Sequence, residues 1–211
     1  MKNKLYIYSS LILIFLSFCL GGIAYPLLPS RIASHWNYLG QVDGYSSKFW
    51  GIFLLPIIML VVFVFMKFFQ KLDPKSENIK KFEGSYNSFL FVFNIFFFIV
   101  FLFTLLWSLG IHLYINKLMA LLLAFLFYSV GNLMKATKQN YFIGIRTPWT
   151  LHNETVWNKT NTLGGKLFQV VAGLSLVGLL YPNYLLALVF IPLFVVIVYI
   201  YIYSYLEFKK L

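Results

Sequence analysis

Two short stretches hold most of the side chains in this chain that could do chemistry. The first contains His35, Trp36, Asn37, Gly40, Asp43, Gly44, Tyr45 and Lys48. The second contains Gly144, Arg146, Thr147, Pro148, Trp149, Thr150, His152, Asn153, Glu154 and Trp157, with Asn132 and Asn140 just upstream. Neither supplies a catalytic set. A hydrolase needs a nucleophile, a base and an orienting group within mutual reach. Ser34, His35 and Asp43 share a loop, but no motif sets the geometry of the adjacent Ser34 and His35. His152 beside Glu154 lacks the His-Glu-x-x-His spacing of zinc proteases. His35 and Asp43 can both ligate a metal, yet zinc sites take three or four protein ligands. There is no Walker loop and no dinucleotide fingerprint. The sequence predicts no enzyme, no cofactor and no metal, and its chemistry is that of recognition.

The residue types suit that role. In the first stretch Asp43-Gly44 and Gly40 are turn signals, so a compact loop is expected. Asp43 caps a turn, His35 pairs with it or with the backbone, and Lys48 snorkels from the start of the next apolar run. Trp36, Tyr38, Tyr45 and Trp50 suit the depth of lipid headgroups. Exposed rings among a few charges also suit an extracellular peptide. In the second stretch Gly144 permits a tight turn or a close approach. Arg146 presents a planar donor fork for a carboxylate or phosphate. Thr147, before Pro148, is pushed toward an extended conformation. Asn153 can cap a helix that begins at Glu154. An Arg146–Glu154 pair is expected, with Trp149 and Trp157 anchoring the loop at the membrane interface. Such a loop is either held together for its own sake or docks a cytoplasmic protein or a lipid phosphate.

The elements that position these stretches follow from composition. The 211 residues are 61% apolar and only 11% charged, whereas soluble domains are about half apolar and about a quarter charged. Continuous apolar runs, each long enough to cross a hydrocarbon core of about 30 Å as a helix, recur at 5–27, 49–69, 87–111, 115–134, 163–181 and 184–206. Their continuity rules out an alternating β-barrel pattern. The expected fold is an all-α integral membrane bundle of six helices. The first run follows Met1-Lys-Asn-Lys and lacks a small-residue cleavage pattern, so it is read as a retained helix rather than a signal peptide.

Of the 17 basic residues, all but Arg31, Lys48 and Lys117 fall on one side of this arrangement. The positive-inside rule places both termini in the cytoplasm, the first stretch outside and the second inside. The net charge of +11 is then a topology signal and an attraction to anionic membrane lipids. The basic residues are spread among short loops, so no nucleic-acid face is expected. The charged connection at 67–86 reads as solvated and without chemistry. Cys19 is alone and suits packing. Pro56 and Pro192 interrupt apolar runs and bend helices. Asn94 and Asn132 can join helices by hydrogen bonds. No Asp, Glu, Lys or Arg lies near the middle of a run, which argues against an ion-driven pump.

The motifs carry a family resemblance. The segment 28–48 resembles the motif of the DUF1648 domain. Gly131-Asn-Leu-Met134, Asn140-Tyr-Phe-Ile-Gly-Ile-Arg-Thr-Pro-Trp-Thr-Leu151, Val156-Trp157 and Gly164-Gly165 resemble the signature of the SdpI family. The resemblance implies a division at 1–70, a DUF1648-like hairpin, and 71–211, an SdpI-like four-helix part. It further implies a bacterial plasma-membrane immunity and signal-transduction protein that confers toxin resistance. Such a protein binds a secreted antimicrobial peptide outside and sequesters a small cytoplasmic repressor inside, without binding nucleic acid directly. The alternative is a small transporter or lipid-handling protein with a cavity between kinked helices.

Overall fold

A computed structural model describes residues 2–211. The described residues are mostly helical, with one β-hairpin and an extended loop between Ala136 and Pro148. The helices are α1 (Lys2–Ala24), α2 (Lys48–Leu72), α3 (Ser76–Lys80), α4 (Glu83–Ser108), α5 (Ile115–Ala136), α6 (Pro148–His152), α7 (Glu154–Val177) and α8 (Leu185–Phe208). Five of them, α1, α2, α4, α5 and α8, are long and apolar enough to cross a membrane. The helix α7 is 24 residues long, but its first half, through Lys166, is polar. It begins nine residues before the run read from hydropathy at 163–181. Asn153 accepts the backbone N–H groups of Thr155 and Val156, at 2.8 and 3.1 Å, and so caps α7 as expected. The capped polar half continues the apolar half as one helix.

The helix α4 is central to the first half of the chain, packing against both α1 and α2, and α5 joins it to the second half. There α7 packs between α5 and α8. The apolar core divides accordingly. Ile14, Met59, Phe63 and Leu90 form one cluster across α1, α2 and α4. Ala120, Val171, Leu185, Val189, Val196 and Ile200 form another across α5, α7 and α8. The α5–α7 crossing depends on missing side chains: a Cβ added to Gly131 would lie 2.5 Å from the carbonyl of Gly165, and one on Gly165 equally close to that of Gly131. Backbone touches backbone there, the small-residue contact on which helices in lipid rely. Asn132 accepts from Gln169 Nε2 at 2.8 Å and bonds the same two helices. Asn94 does not join helices, because its amide donates back to Leu90 within α4.

The loop expected after α1 is a two-stranded antiparallel sheet, β1 (Arg31–Trp36) and β2 (Val42–Ser47). This hairpin is the one β element among the described residues of an otherwise helical bundle. Arg31 pairs with Ser47 and Ala33 with Tyr45, but the register is irregular from Ala33 through His35 to Trp36. Consecutive Ile32 and Ala33 are both buried, so β1 lacks the apolar–polar alternation by which a half-buried strand is read. Ile32, with Ala24, Leu28, Ile52, Phe101 and Leu105, seats the hairpin on the ends of α1, α2 and α4.

Candidate functional site

The two polar stretches occupy opposite ends of the bundle, since β1 and β2 precede the start of α2 while the second stretch follows the end of α5. At the hairpin end, Asn37 builds the turn. Its side-chain oxygen accepts the N–H groups of Leu39 and Gln41, each at 3.0 Å, and Gly40 takes φ +79°. Asp43 and Gly44 on β2 face β1, and His35 Nδ1 lies 2.5 Å from Asp43 Oδ1, the pairing read from the sequence. Both side chains are exposed. Tyr45 is exposed beside Arg31, and the Lys48 ammonium lies 4.6 Å from the Tyr25 ring centre. Trp36 is half-buried. It packs edge-on against Phe103 and Trp107 of α4, and its indole Nε1–H is buried without a hydrogen-bond acceptor among the described residues.

Under the hairpin lies a half-open cleft of about 330 Å³. Its roof is residues 34–38, and its walls come from Val100 on α4, Ile115, Met119 and Leu123 on α5, and Leu185 and Phe190 on α8. The walls are apolar and the rim is polar. Asn116 closes the rim by donating to Tyr38 O at 2.8 Å and to Pro182 O at 3.2 Å. One side chain thus ties the hairpin to the α7–α8 connection, a role its lone position in the sequence does not signal.

At the other end, residues 137–153 form an ordered loop with little side-chain freedom. Asn140 accepts the N–H groups of Phe142 and Ile143 and donates to the carbonyls of Lys138 and Ile143. Gly144 has φ +117°, a region that favours glycine, and a Cβ there would lie 2.7 Å from Asn161 Oδ1. That oxygen accepts the next amide, Ile145 N–H, at 2.8 Å. Thr147 is extended, as its place before Pro148 requires, and forms a reciprocal capping box with Thr150 at the start of α6. Trp149 packs on Tyr201 and Tyr205 of α8.

Several expectations need correction here. Arg146 does not pair with Glu154: its guanidinium donates to the carbonyl of Tyr141, and the rest of the fork faces water. Trp157 is not an interfacial anchor but is fully buried, donating to Thr137 O at 3.3 Å. Asn140, Thr147 and Thr150 are buried as well. These four side chains shape the loop from beneath, whereas Arg146 and Pro148 are exposed on it and Trp149 is half-buried. Asn132 lies apart, on an exposed face of α5.

The 67–86 connection is part of this site, contrary to its reading as solvated and inert. Asp73 is 3% exposed. Its two carboxylate oxygens accept Lys75 N–H at 2.7 Å and Tyr141 N–H at 2.8 Å. Asn78 donates to Gln139 O at 2.8 Å, and Lys75 Nζ reaches Gln139 Oε1. Gln139, buried, donates in turn to the carbonyls of Thr150 and Leu151. The available signal was Asp73 itself, one of only six acids in the chain and set before a proline. The end of α8 adds Glu207, buried, which accepts from Lys159 at 2.8 Å and from Lys210. That hydrogen bond holds the Lys159 ammonium above the ordinary lysine range.

Among the described residues no three His, Cys, Asp or Glu side chains converge as a metal site. The arrangement is one of two rigid surfaces: an apolar cleft under a polar roof, and a braced loop showing one guanidinium.

Comparison with known proteins places the chain among relatives. The description "Domain of unknown function (DUF1648)" matches residues 12–60, and that of the SdpI/YfhL protein family matches residues 136–204. The immunity protein SdpI of Bacillus subtilis (strain 168) is 31% identical over 207 residues, covering 96% of this chain and 95% of that protein. No solved structure matches. The chain is a multi-pass protein of the bacterial cell membrane, and it belongs to the SdpI/YfhL protein family.

Proposed function

We propose that this chain is a non-catalytic immunity protein that recognises a secreted antimicrobial peptide at its hairpin end and docks a small cytoplasmic repressor at its 137–153 loop. In this reading α7 is a sixth crossing, both termini are cytoplasmic, and the hairpin faces outward. The observation that carries it is the cleft under the hairpin, whose apolar walls and polar rim suit a peptide partitioning from water into the outer leaflet. The relative's name, an immunity protein, supports the class. The braced loop supports the inner half, because a preordered surface loses little entropy on docking. His35, Asn37, Asp43 and Tyr45 are the proposed outer contacts, and Arg146, Pro148 and Trp149 the inner ones.

The alternative, a small lipid-handling protein or transporter, draws on the same cleft. The two readings separate in one experiment. Cells carrying the parent, His35→Ala or Arg146→Ala/Trp149→Ala are challenged with the peptide while a fluorescent repressor is imaged. His35→Ala should lower survival. The inner double variant should release the repressor from the membrane at normal expression. Unchanged survival and unchanged recruitment would reject both contacts, and specific solute flux in liposomes without saturable peptide binding would promote the alternative. Cysteine labelling at Tyr38 and Arg146, with Cys19 replaced, should find the two positions in different compartments.

A further inference from the structure

Where the last turns of α2 meet α3 and the first turn of α4, the surface sinks into a bowl of about 440 Å³ lined by Lys67, Gln70, Lys71, Ser76, Lys80 and Glu83. Its size falls within the range of small-molecule sites. Three lysines face one lining carboxylate. Glu77 holds Lys80 at 2.6 Å from outside the bowl. Lys67 and Lys71, four residues apart on one helix, are like charges on neighbouring positions, an arrangement that is unfavourable by itself. Lys67 is half-buried, and two of its three N–H donors are fixed, to Gln70 Oε1 at 2.9 Å and Asn87 Oδ1 at 3.2 Å. An ammonium carries three donors, so one is left over. Ser76 adds a hydroxyl that bonds nothing else among the described residues. The bowl therefore offers donors and positive charge, the chemistry of a phosphate site.

The source of the phosphate follows from the rest of the helix face. Leu60, Val64, Lys67 and Lys71 are spaced by four, three and four residues, which places them in one line along α2. Leu60 and Val64 are exposed, at 40% and 55%, and Phe68 beside the line is exposed at 56%. An apolar track thus runs out of the basic bowl along the lipid-facing side of a membrane helix. A soluble phosphate would use the bowl alone, whereas a phospholipid would use both parts.

We propose that this bowl binds the headgroup phosphate of an anionic phospholipid, with an acyl chain laid along Leu60 and Val64 of α2. The site is distinct from the hairpin cleft and from the Arg146 surface, and it does not depend on the peptide reading. It also borders the segment that carries Asp73 and Asn78, so an occupied bowl braces the strap that holds the inner loop.

The test is native mass spectrometry of the full chain in detergent, titrated with phosphatidylglycerol, with phosphatidylcholine of the same acyl chains, and with inorganic phosphate. Phosphatidylglycerol should be retained in preference to phosphatidylcholine, and inorganic phosphate should not displace it. Lys67→Gln/Lys71→Gln should weaken retention on the order of 20-fold, as expected for two lysines near an anionic headgroup. Lys4→Gln/Lys209→Gln removes the same charge from exposed positions elsewhere and should leave retention unchanged. Lys71→Gln/Lys80→Gln alters only exposed side chains, so it decides the matter if the Lys67 variant fails to fold. Equal weakening in the control, no preference between the two lipids, or displacement by inorganic phosphate would each overturn the proposal.

Discussion

Replacing Asp73 should loosen the inner loop without unfolding the bundle. The carboxylate is buried and accepts two backbone N–H groups, one local, from Lys75, and one 68 residues away, from Tyr141. A hydrogen bond to a charged group contributes about 1.5–3 kcal/mol net. The Lys75 amide sits in a turn that water can reach, so the long-range bond to Tyr141 dominates. Asp73→Ala should then cost the loop about 3 kcal/mol, which corresponds to about a hundredfold rise in local opening at about 1.4 kcal/mol per decade. Asp73→Asn keeps one acceptor but turns an amide donor toward the second N–H, so about a tenfold rise is expected. The bundle should survive because the loop keeps a second anchor, Phe142 against Phe69 on α2, with ring centres 4.4 Å apart. Hydrogen exchange in nanodiscs reads this directly. The amides of Tyr141, Phe142, Ile143 and Ile145 all donate to side chains in the site and should lose protection, while those of β1 and β2 should not. Unchanged exchange at these four amides would refute the bracing role of Asp73. A uniform rise across the chain would show instead that the residue supports the whole fold. On the proposed docking role, repressor recruitment should fall in parallel with protection.

Four further outcomes are expected. Gly131→Ala forces a methyl toward the Gly165 carbonyl and should destabilise by about 1–3 kcal/mol, seen as a lower thermal midpoint in detergent. Gly22→Ala, where a Cβ meets nothing within 4 Å, should leave the midpoint unchanged or raise it. Gly144→Ala takes a residue with a Cβ into φ +117° and into Asn161, with a cost of about 2 kcal/mol or more and increased proteolysis within 138–147. Asn116→Ala removes both ties at the hairpin rim and should cost about 2 kcal/mol of local stability, measured as faster exchange at Leu39 and Gln41 with an unchanged signal at the inner loop.

What could be read from the sequence was local. Asn153 caps α7, Thr147 is extended before Pro148, Gly144 turns the chain and His35 meets Asp43; each rests on residues within about ten positions of one another. Of the six apolar runs, five became helices that satisfy the length and hydropathy of a crossing, while 163–181 joined the polar first half of α7. The hairpin was read only as a compact loop, because the irregular register of β1 buries adjacent Ile32 and Ala33 and erases the period of two. Arg146 was matched with the nearest acid in sequence, although the loop brings the carbonyl of Tyr141 closer. Trp157 was placed at an interface by residue type, whereas its position on the buried face of α7 decides otherwise. Asp73 and Gln139 were missed because their partners come from distant segments, and such contacts leave no periodic trace.

The amide of Asn116 has a mechanical consequence. It ties the hairpin tip, at Tyr38 O, to the turn before α8, at Pro182 O, joining parts of the chain far apart in sequence. Anything wedged beneath the hairpin must strain that tie, and the strain is shared at once by the top of α5, the sheet and the head of α8. The hairpin end of the molecule is thereby linked across the sheet, α5 and the turn before α8 through one side chain.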